Sequence, residues 1–445
     1  MTRVSATTPR PTPRRWPDGD MGLMAGFFWL LVGFVAYVYM GYPLGLHLWR
    51  RLWPRPLAAN GMGGRTPGVS IVIAARNEGR RLAGRIDNLL NLDYPAAQRQ
   101  IIIVSDGSTD DSLEVLARYE PAVEIVALPE GGKARALNAG VERARFGLLV
   151  FADARQAFAP DALQMLIAPF SDPKVGAVSG ELVLEGEARD RRTPASDRRG
   201  RTVRPIAADA ERRAPGNRRH STPSTIAEGV GLYWRYEKQI RRDGSAVAST
   251  MGATGAMYAM RRSLWRPLPE ETILDDVLAP MRCVLAGSRV LFEDRARAYD
   301  RTARNAKDEI RRKRRTLAGN YQLCWLEPAL LLPWRNPAWI QFVSHKVARL
   351  AVPYALPPLW LLSFLLIRRS AVYAAAFAAQ CLFYLLATYG AWLERHEAGT
   401  ARDPWTKPPV PAAERLARVA LTVLVMNASA VTGLVALLTR QKVWR

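Results

Sequence analysis

The sequence predicts an α/β domain with a mixed, mostly parallel sheet, joined to helices that cross a membrane. Short runs rich in Val, Ile and Ala alternate with helical patterns between residues 69 and 153, as βαβ units do. Long apolar stretches without Asp, Glu, Lys or Arg stand before and after that region. Composition fits the pairing: 49% of the 445 residues are hydrophobic, yet the formal net charge is +23. Such a balance suits a phosphate-rich partner, whether nucleic acid, anionic lipid or nucleotide. Three cysteines, Cys283, Cys324 and Cys381, show no CxxC spacing, which argues against a disulfide framework or a zinc site.

The elements follow in order. Residues 1–20 are rich in Pro, Arg and Thr and read as a disordered basic arm. The uncharged run over 21–49 exceeds the roughly 20 apolar residues of a spanning helix and is too long for a signal-peptide core. It is therefore read as an uncleaved anchor. The catalytic-size domain spans 66–323. Its strands are "VSIVIAA", "QIIIVSD", "VEIVAL" and "GLLVFAD", with helices between them from Glu78, from Asp110 and from Lys133. Over 185–222 large apolar residues nearly vanish and arginines crowd in, so this insertion is expected to be disordered. Residues 328–345 mix Trp, Pro, His and Lys and read as a helix lying in the membrane interface. Three more spans are expected over 351–367, 371–393 and 419–438, flanked by Trp, Tyr and Arg.

Ligands of an open α/β sheet bind in the crevice outside the carboxyl ends of its strands. Arg76, Asn77 and Glu78 follow the first strand and Asp106 ends the second. Gly131, Gly132 and Lys133 follow the third, and Asp153 follows the fourth. Acids in such places accept hydrogen bonds from a base or a ribose, and a lysine at a helix start meets phosphate. Singly, each acid is as easily a helix cap. Their recurrence at successive strand ends is what points to a ligand, and it counts against nucleic acid as the partner.

The motifs "VSIVIAARNEGRRLAGRIDNLLNLDYP", "IIIVSDGSTDDS", "GGKARALNAG" and "VFADAR" resemble the donor-binding half of the inverting family-2 glycosyltransferases. "YWRYEKQIR", "GATGAMYAMRRSLW", "ILDDV" and "RRKRRTLAGNYQL" resemble the acceptor half. The flanking apolar segments are similar to those of the membrane-integrated branch that holds cellulose, hyaluronan and poly-N-acetylglucosamine synthases. The resemblance implies a GT-A fold, Rossmann-like, and a nucleotide-diphosphate sugar donor such as a UDP-sugar.

It also implies roles for single residues. Glu78 and Asp106 would hold the nucleoside, and Lys133 would lie near the diphosphate. Asp153 matches the first acid of the family's Asp-x-Asp motif, whose second acid is here Arg155. A Mg²⁺ or Mn²⁺ would then rest on Asp153 alone, or Arg155 would stand in for the metal. Asp276 matches the general base and Asp275 its neighbour. Arg312 and Arg315 match the ends of the basic motif that clamps the diphosphate. Thr316 replaces the Trp that follows in many processive synthases, which weakens the case for long-chain polymerisation.

The leading expectation is a membrane-bound glycosyltransferase that extends a polysaccharide, with export subunits as further partners. A second reading transfers one sugar to a lipid carrier of the polyprenyl-phosphate type. A third is a non-catalytic basic protein that binds anionic lipid or nucleic acid. For the first two, the protein is a multi-pass one of the inner (cytoplasmic) membrane. Its catalytic domain then faces the cytosol, where sugar nucleotides are made.

Overall fold

A computed structural model describes residues 18–58, 66–184, 225–300, 306–397 and 411–439. Residues 1–17 of the basic arm and the whole 185–222 insertion lie outside the described residues. The chain opens with helix α1 (Asp18–Ala36), a π-helical turn at Tyr37–Gly41, and α2 (Tyr42–Leu52). The α/β region then runs β1 (Val69–Ala75), α3 (Gly79–Leu90), β2 (Arg99–Asp106), α4 (Ser112–Ala117), β3 (Glu124–Leu128), α5 (Lys133–Glu142) and β4 (Leu148–Phe151). It continues with β5 (Ala157–Phe158), α6 (Ala162–Ile167), β6 (Val175–Leu184), α7 (Thr225–Val247), β7 (Tyr258–Arg261), α8 (Asp275–Leu285), β8 (Arg289–Asp300) and α9 (Ala306–Leu326).

Among the described residues the strands form one eight-stranded sheet in the order β3-β2-β1-β4-β7-β6-β8-β5. β1 to β4 pair in parallel, β7 is antiparallel to both of its neighbours, and β6 runs parallel to β8. Parallel strands covered on both faces read as continuous apolar runs, and "IIIV" of β2 is one. Alternate side chains serve opposite faces. Val69, Ile71 and Ile73 enter one core with α3 and α6, while Val72, Ile102 and Val104 enter the other with α5 and α8. The sheet thereby lines up the carboxyl ends of β1, β2, β3 and β4.

Among the described residues, four helices are long and apolar enough to cross a membrane: Met21–Leu52, Trp339–Leu365, Ala371–His396 and Ala412–Leu438. The segment 328–345 is not one helix. A 3₁₀ turn at Pro328–Leu331 is followed by the short α10 (Trp339–Phe342), a π-helical turn at Val343–Val347 and α11 (Ala348–Leu365). Pro333 and Pro337 interrupt it, because neither has an N–H to donate. Asn336 bridges the break, donating to the Leu330 carbonyl and accepting from the Ala338 amide. Helical structure from Trp339 then runs on into the second candidate span, through Pro353, Pro357 and Pro358. The last two helices are α12 (Ala371–Glu397) and α13 (Ala412–Leu438).

The helical layer is tied to the sheet domain through α7. Buried Asp243 takes Arg50 of α2 at 2.7 Å and His47 at 3.2 Å. Glu237, also buried, takes His345 Nε2 at 3.1 Å and the guanidinium of Arg349. The two π-helical turns meet at the same level, where the Tyr37 and Ser344 hydroxyls hydrogen-bond at 2.7 Å.

Candidate active site

Two loops at the ends of β1 and β2 are stitched together by short polar side chains. Asn77 has φ +53°, a left-handed conformation that Asn tolerates. Its side-chain oxygen accepts the Thr109 amide at 2.8 Å, and its own amide donates to Ser108 Oγ. Glu78 starts the next helix, and its carboxylate pairs with Arg81 at 2.5 Å. Asp106 is buried at the end of β2 and accepts the amides of Gly131 at 2.7 Å and Gly132 at 3.0 Å. It holds the turn that launches α5. Gly132 sits at φ +94°, where a side chain would be strained, so the turn needs a glycine.

That turn aims Lys133 into the crevice. Its Nζ lies 3.1 Å from Asp153 Oδ1 and 3.2 Å from Asp275 Oδ1. Asp275 is buried at the N-terminus of α8, with Asp276 beside it. Asp153 follows β4, so a strand end and a helix start deliver two carboxylates to one ammonium, with Asp276 acting on it through its charge. Asp276 and Asp153 face the same gap across Gly255. A Cβ there would stand 3.2 Å from Asp276 Oδ2 and 3.8 Å from Asp153 Oδ2. The cradle between the two acids stays open because residue 255 has no side chain.

The electrostatics separate the acids. Burial, then Asp275, push Asp276 up to about 6, against the pull of Lys133 and Lys346. For Asp153, burial raises the pKa, but Lys133, Arg155 and Arg315 together bring it below the ordinary carboxylate value. Burial also works against the Lys133 ammonium, yet the fields of Asp153, Asp275 and Asp276 hold its pKa above the usual lysine value. Opposed shifts on neighbouring carboxylates are how one site keeps one acid ionised and readies another as a base.

The expected residues thus gather unevenly. Lys133, Asp153, Asp275 and Asp276 form the cluster, and Arg315 on α9 acts on it through its charge. Arg312 lies exposed one turn earlier on the same helix. Glu78 and Asp106 lie on the β1 and β2 side, with Asp106 linked to the cluster through the Gly131–Gly132 turn. Arg155 pairs with Asp300 at 3.4 Å, where Asp300 also receives Gln156 at 2.9 Å.

Sequence reasoning passed over Gly255, Arg85 and Lys346. Arg85 is buried beneath the site, its guanidinium 4.1 Å from the Phe158 ring centre, and its charge acts on Asp153. Its place in an amphipathic helix pattern disguised it. Lys346 lies far along the chain in what reads as an interfacial segment, and nothing local marks it.

Residues 70–264 match the model of Glycosyl transferase family 2. Within the chain, 117 residues are 32% identical to a poly-beta-1,6-N-acetyl-D-glucosamine synthase of Staphylococcus epidermidis, covering 25% of this chain and 28% of that one. Another 142-residue alignment is 33% identical to a beta-monoglucosyldiacylglycerol synthase of Nostoc sp., covering 30% of each. The chain therefore spans under a third of the length of these relatives. Mannosyltransferase PcManGT from Pyrobaculum calidifontis, solved with GDP-Man and Mn²⁺, shares the fold with a TM-score of 0.61 at 18% identity. That likeness covers 93% of this chain and 99% of the mannosyltransferase. The chain thus has the GT-A fold, and its residues 70–264 carry the match to Glycosyl transferase family 2.

Proposed function

We propose that this protein is a membrane-bound, multi-pass inverting glycosyltransferase with its catalytic domain in the cytosol. It moves a sugar from a nucleotide-diphosphate sugar to a polysaccharide or lipid acceptor presented at the membrane surface. The observation that carries the reading is Asp276, a carboxylate raised to about 6 and facing Asp153 across Gly255. The similarity to a polysaccharide synthase and to a glycolipid synthase supports both kinds of acceptor.

In this reading the donor diphosphate enters from the strand ends. Lys133 and Arg315 meet its charge, and Glu78 and Asp106 border the nucleoside. Asp276 takes the proton from the acceptor hydroxyl as the oxygen attacks the anomeric carbon, on the face opposite the departing diphosphate. The carbon–oxygen bond to the diphosphate breaks, and the leaving group's charge is met by Lys133 and Arg315. Asp275 steadies Lys133 through its 3.2 Å ion pair.

A divalent cation fits on limited terms. Among the described residues no group of three His, Cys, Asp or Glu side chains converges as a metal site. Asp153 Oδ2 nevertheless faces the open cradle beside Gly255. One carboxylate suffices for Mg²⁺ when phosphates and water complete its octahedron. Asp153 would hold the ion, which would supply positive charge to the diphosphate.

The reading is tested with purified full-length protein and a panel of labelled sugar nucleotides. Wild type should turn over at least one of them, and Asp276→Asn should lower transfer by about 10²-fold or more while nucleotide binding persists. Near-normal turnover by Asp276→Asn would remove Asp276 as the base.

A further inference from the structure

Cations outnumber acids where α7 meets the start of α11. Glu237 commits both carboxylate oxygens, one to His345 Nε2 at 3.1 Å and the other to Arg349. Arg241 sits one helical turn after Glu237 on α7, and Lys346 follows His345. Among the described residues neither Arg241 nor Lys346 has a carboxylate within ion-pair distance. The charges acting on Lys346 are, in order, those of Arg241, Glu237, Asp276 and Arg349. Among these residues neither half-buried cation is held in a salt bridge, and the charge of Lys346 reaches the proposed catalytic base Asp276. Charges are rarely held out of water unpaired, and an ionisable side chain at the edge of a spanning helix marks a ligand path.

The surroundings are shaped for an amphiphile. In a cleft beside Arg241, the apolar Leu182, Trp234 and Phe292 meet two ion-paired acids, Glu181 and Glu237, together with Lys238. The Arg241 guanidinium lies 5.7 Å from the centre of the Trp234 ring. The buried indole Nε1 of Trp234 has no hydrogen-bond partner among the described residues, which leaves a donor for a ligand oxygen. Lys346 itself stands on the π-helical turn that continues into the candidate membrane span. π-helical turns occur frequently at functional sites. The donor diphosphate has its own cations in Lys133 and Arg315, so this second group answers to another anion.

We propose that Arg241 and Lys346 bind the phosphate of a lipid acceptor, a phosphodiester whose headgroup carries the hydroxyl that attacks at Asp276. This deepens the glycosyltransferase reading and rests on it for the chemistry. A raised carboxylate is suited to deprotonating a hydroxyl. A phosphate monoester, already ionised near neutral pH, would have less use for one. In the transfer the headgroup oxygen bonds to the anomeric carbon and its proton passes to Asp276. The bond from that carbon to the β-phosphate oxygen breaks, and the electron pair leaves with the nucleoside diphosphate.

Binding and transfer are measured separately on the full-length protein. In mixed micelles holding equal phosphatidylglycerol and diacylglycerol, wild type should retain phosphatidylglycerol selectively. Arg241→Met with Lys346→Met should lower that retention at least several-fold, and Arg241→Lys with Lys346→Arg should keep it. Transfer assays then offer phosphatidylglycerol, diacylglycerol or a polyprenyl monophosphate with the sugar nucleotide that wild type turns over. Product on phosphatidylglycerol, with a raised half-saturating lipid concentration in Lys346→Met and an unchanged one for donor, supports the proposal. Equal retention by wild type and the double Met variant overturns it, as does transfer only to diacylglycerol or only to the monophosphate. So does competition by inorganic phosphate as strong as that by the lipid, which would assign the cations to a soluble anion. Selective retention without turnover of any sugar nucleotide would uphold the lipid-phosphate site and end the catalytic reading instead.

Discussion

The guanidinium of Arg155 lies 3.4 Å from the carboxylate of Asp300, at the end of β8. The cation that stands where the family's second acid is expected is thus paired sideways, while its charge still lowers the pKa of Asp153. If a metal serves the leaving group, chelation should abolish transfer, and Arg155→Asp should stay active with a sharper metal requirement. Titrating Mg²⁺ and Mn²⁺ into both proteins reads this. Full activity in chelator together with an inactive Arg155→Ala would show that the guanidinium replaces the ion.

The pH profile should report Asp276. A base works in its ionised form, so transfer should fall as pH drops through about 6. Nucleotide binding, measured alongside, should not follow the same limb. A rate that stays flat from pH 5 to pH 8 would count against Asp276 as base.

Gly255→Ala tests the cradle. The added methyl would stand 3.2 Å from Asp276 Oδ2, and residue 255 is not among the glycines with a left-handed backbone. The fold should persist while transfer drops, on the order of 10²-fold for a misplacement of catalytic groups. Unchanged kinetics would mean that the space between Asp153 and Asp276 is not where the reacting atoms meet.

Asp106→Ala should act through the Gly131–Gly132 turn. Two backbone amides would lose a buried, charged acceptor, a loss of about 2–3 kcal/mol. Thermal unfolding should shift downward, and donor affinity should weaken with it as Lys133 loses its launching point. Stability held at the wild-type level, with only nucleoside binding lost, would mean that Asp106 serves the ligand rather than the turn.

Topology offers another check. If the sheet domain faces the cytosol as proposed, one candidate span before it and three after it would put both Met1 and Arg445 on the far side. A reporter at Arg445 should be accessible from outside. A cytosolic reporter would mean that one candidate, most simply the proline-containing Trp339–Leu365, does not cross.

The donor half was legible because parallel strands put their chemistry where a linear reading can find it, just after each apolar run. Asp106, Lys133 and Asp153 were visible on that ground alone. Their partners were readable only through the family resemblance. Asp275 and Asp276 sit on α8, and the antiparallel β7 carries the chain back to β4 so that these acids face Asp153. No local periodicity encodes that return. Lys346 was hidden for the same reason, since it stands far along the chain on the π-helical turn at Val343–Val347 and acts on Asp276 only through its charge. Glu78 and Asp106 were read for a ligand, yet Asp106 also satisfies two backbone amides, a use that spacing does not reveal.

The facing π-helical turns at Tyr37–Gly41 and Val343–Val347 bear on how this chain can change length. Each wide turn carries about one residue more than an α-helical turn would. Loss of a single residue there would let the turn relax to an ordinary one, with the flanking helical faces still in phase. The same loss anywhere else in either helix would rotate everything beyond it by about 100°. Tyr37 would then swing away from Ser344 and lose the hydroxyl contact between the two turns. Single-residue deletions in these two helices should be tolerated at the wide turns and nowhere else along them.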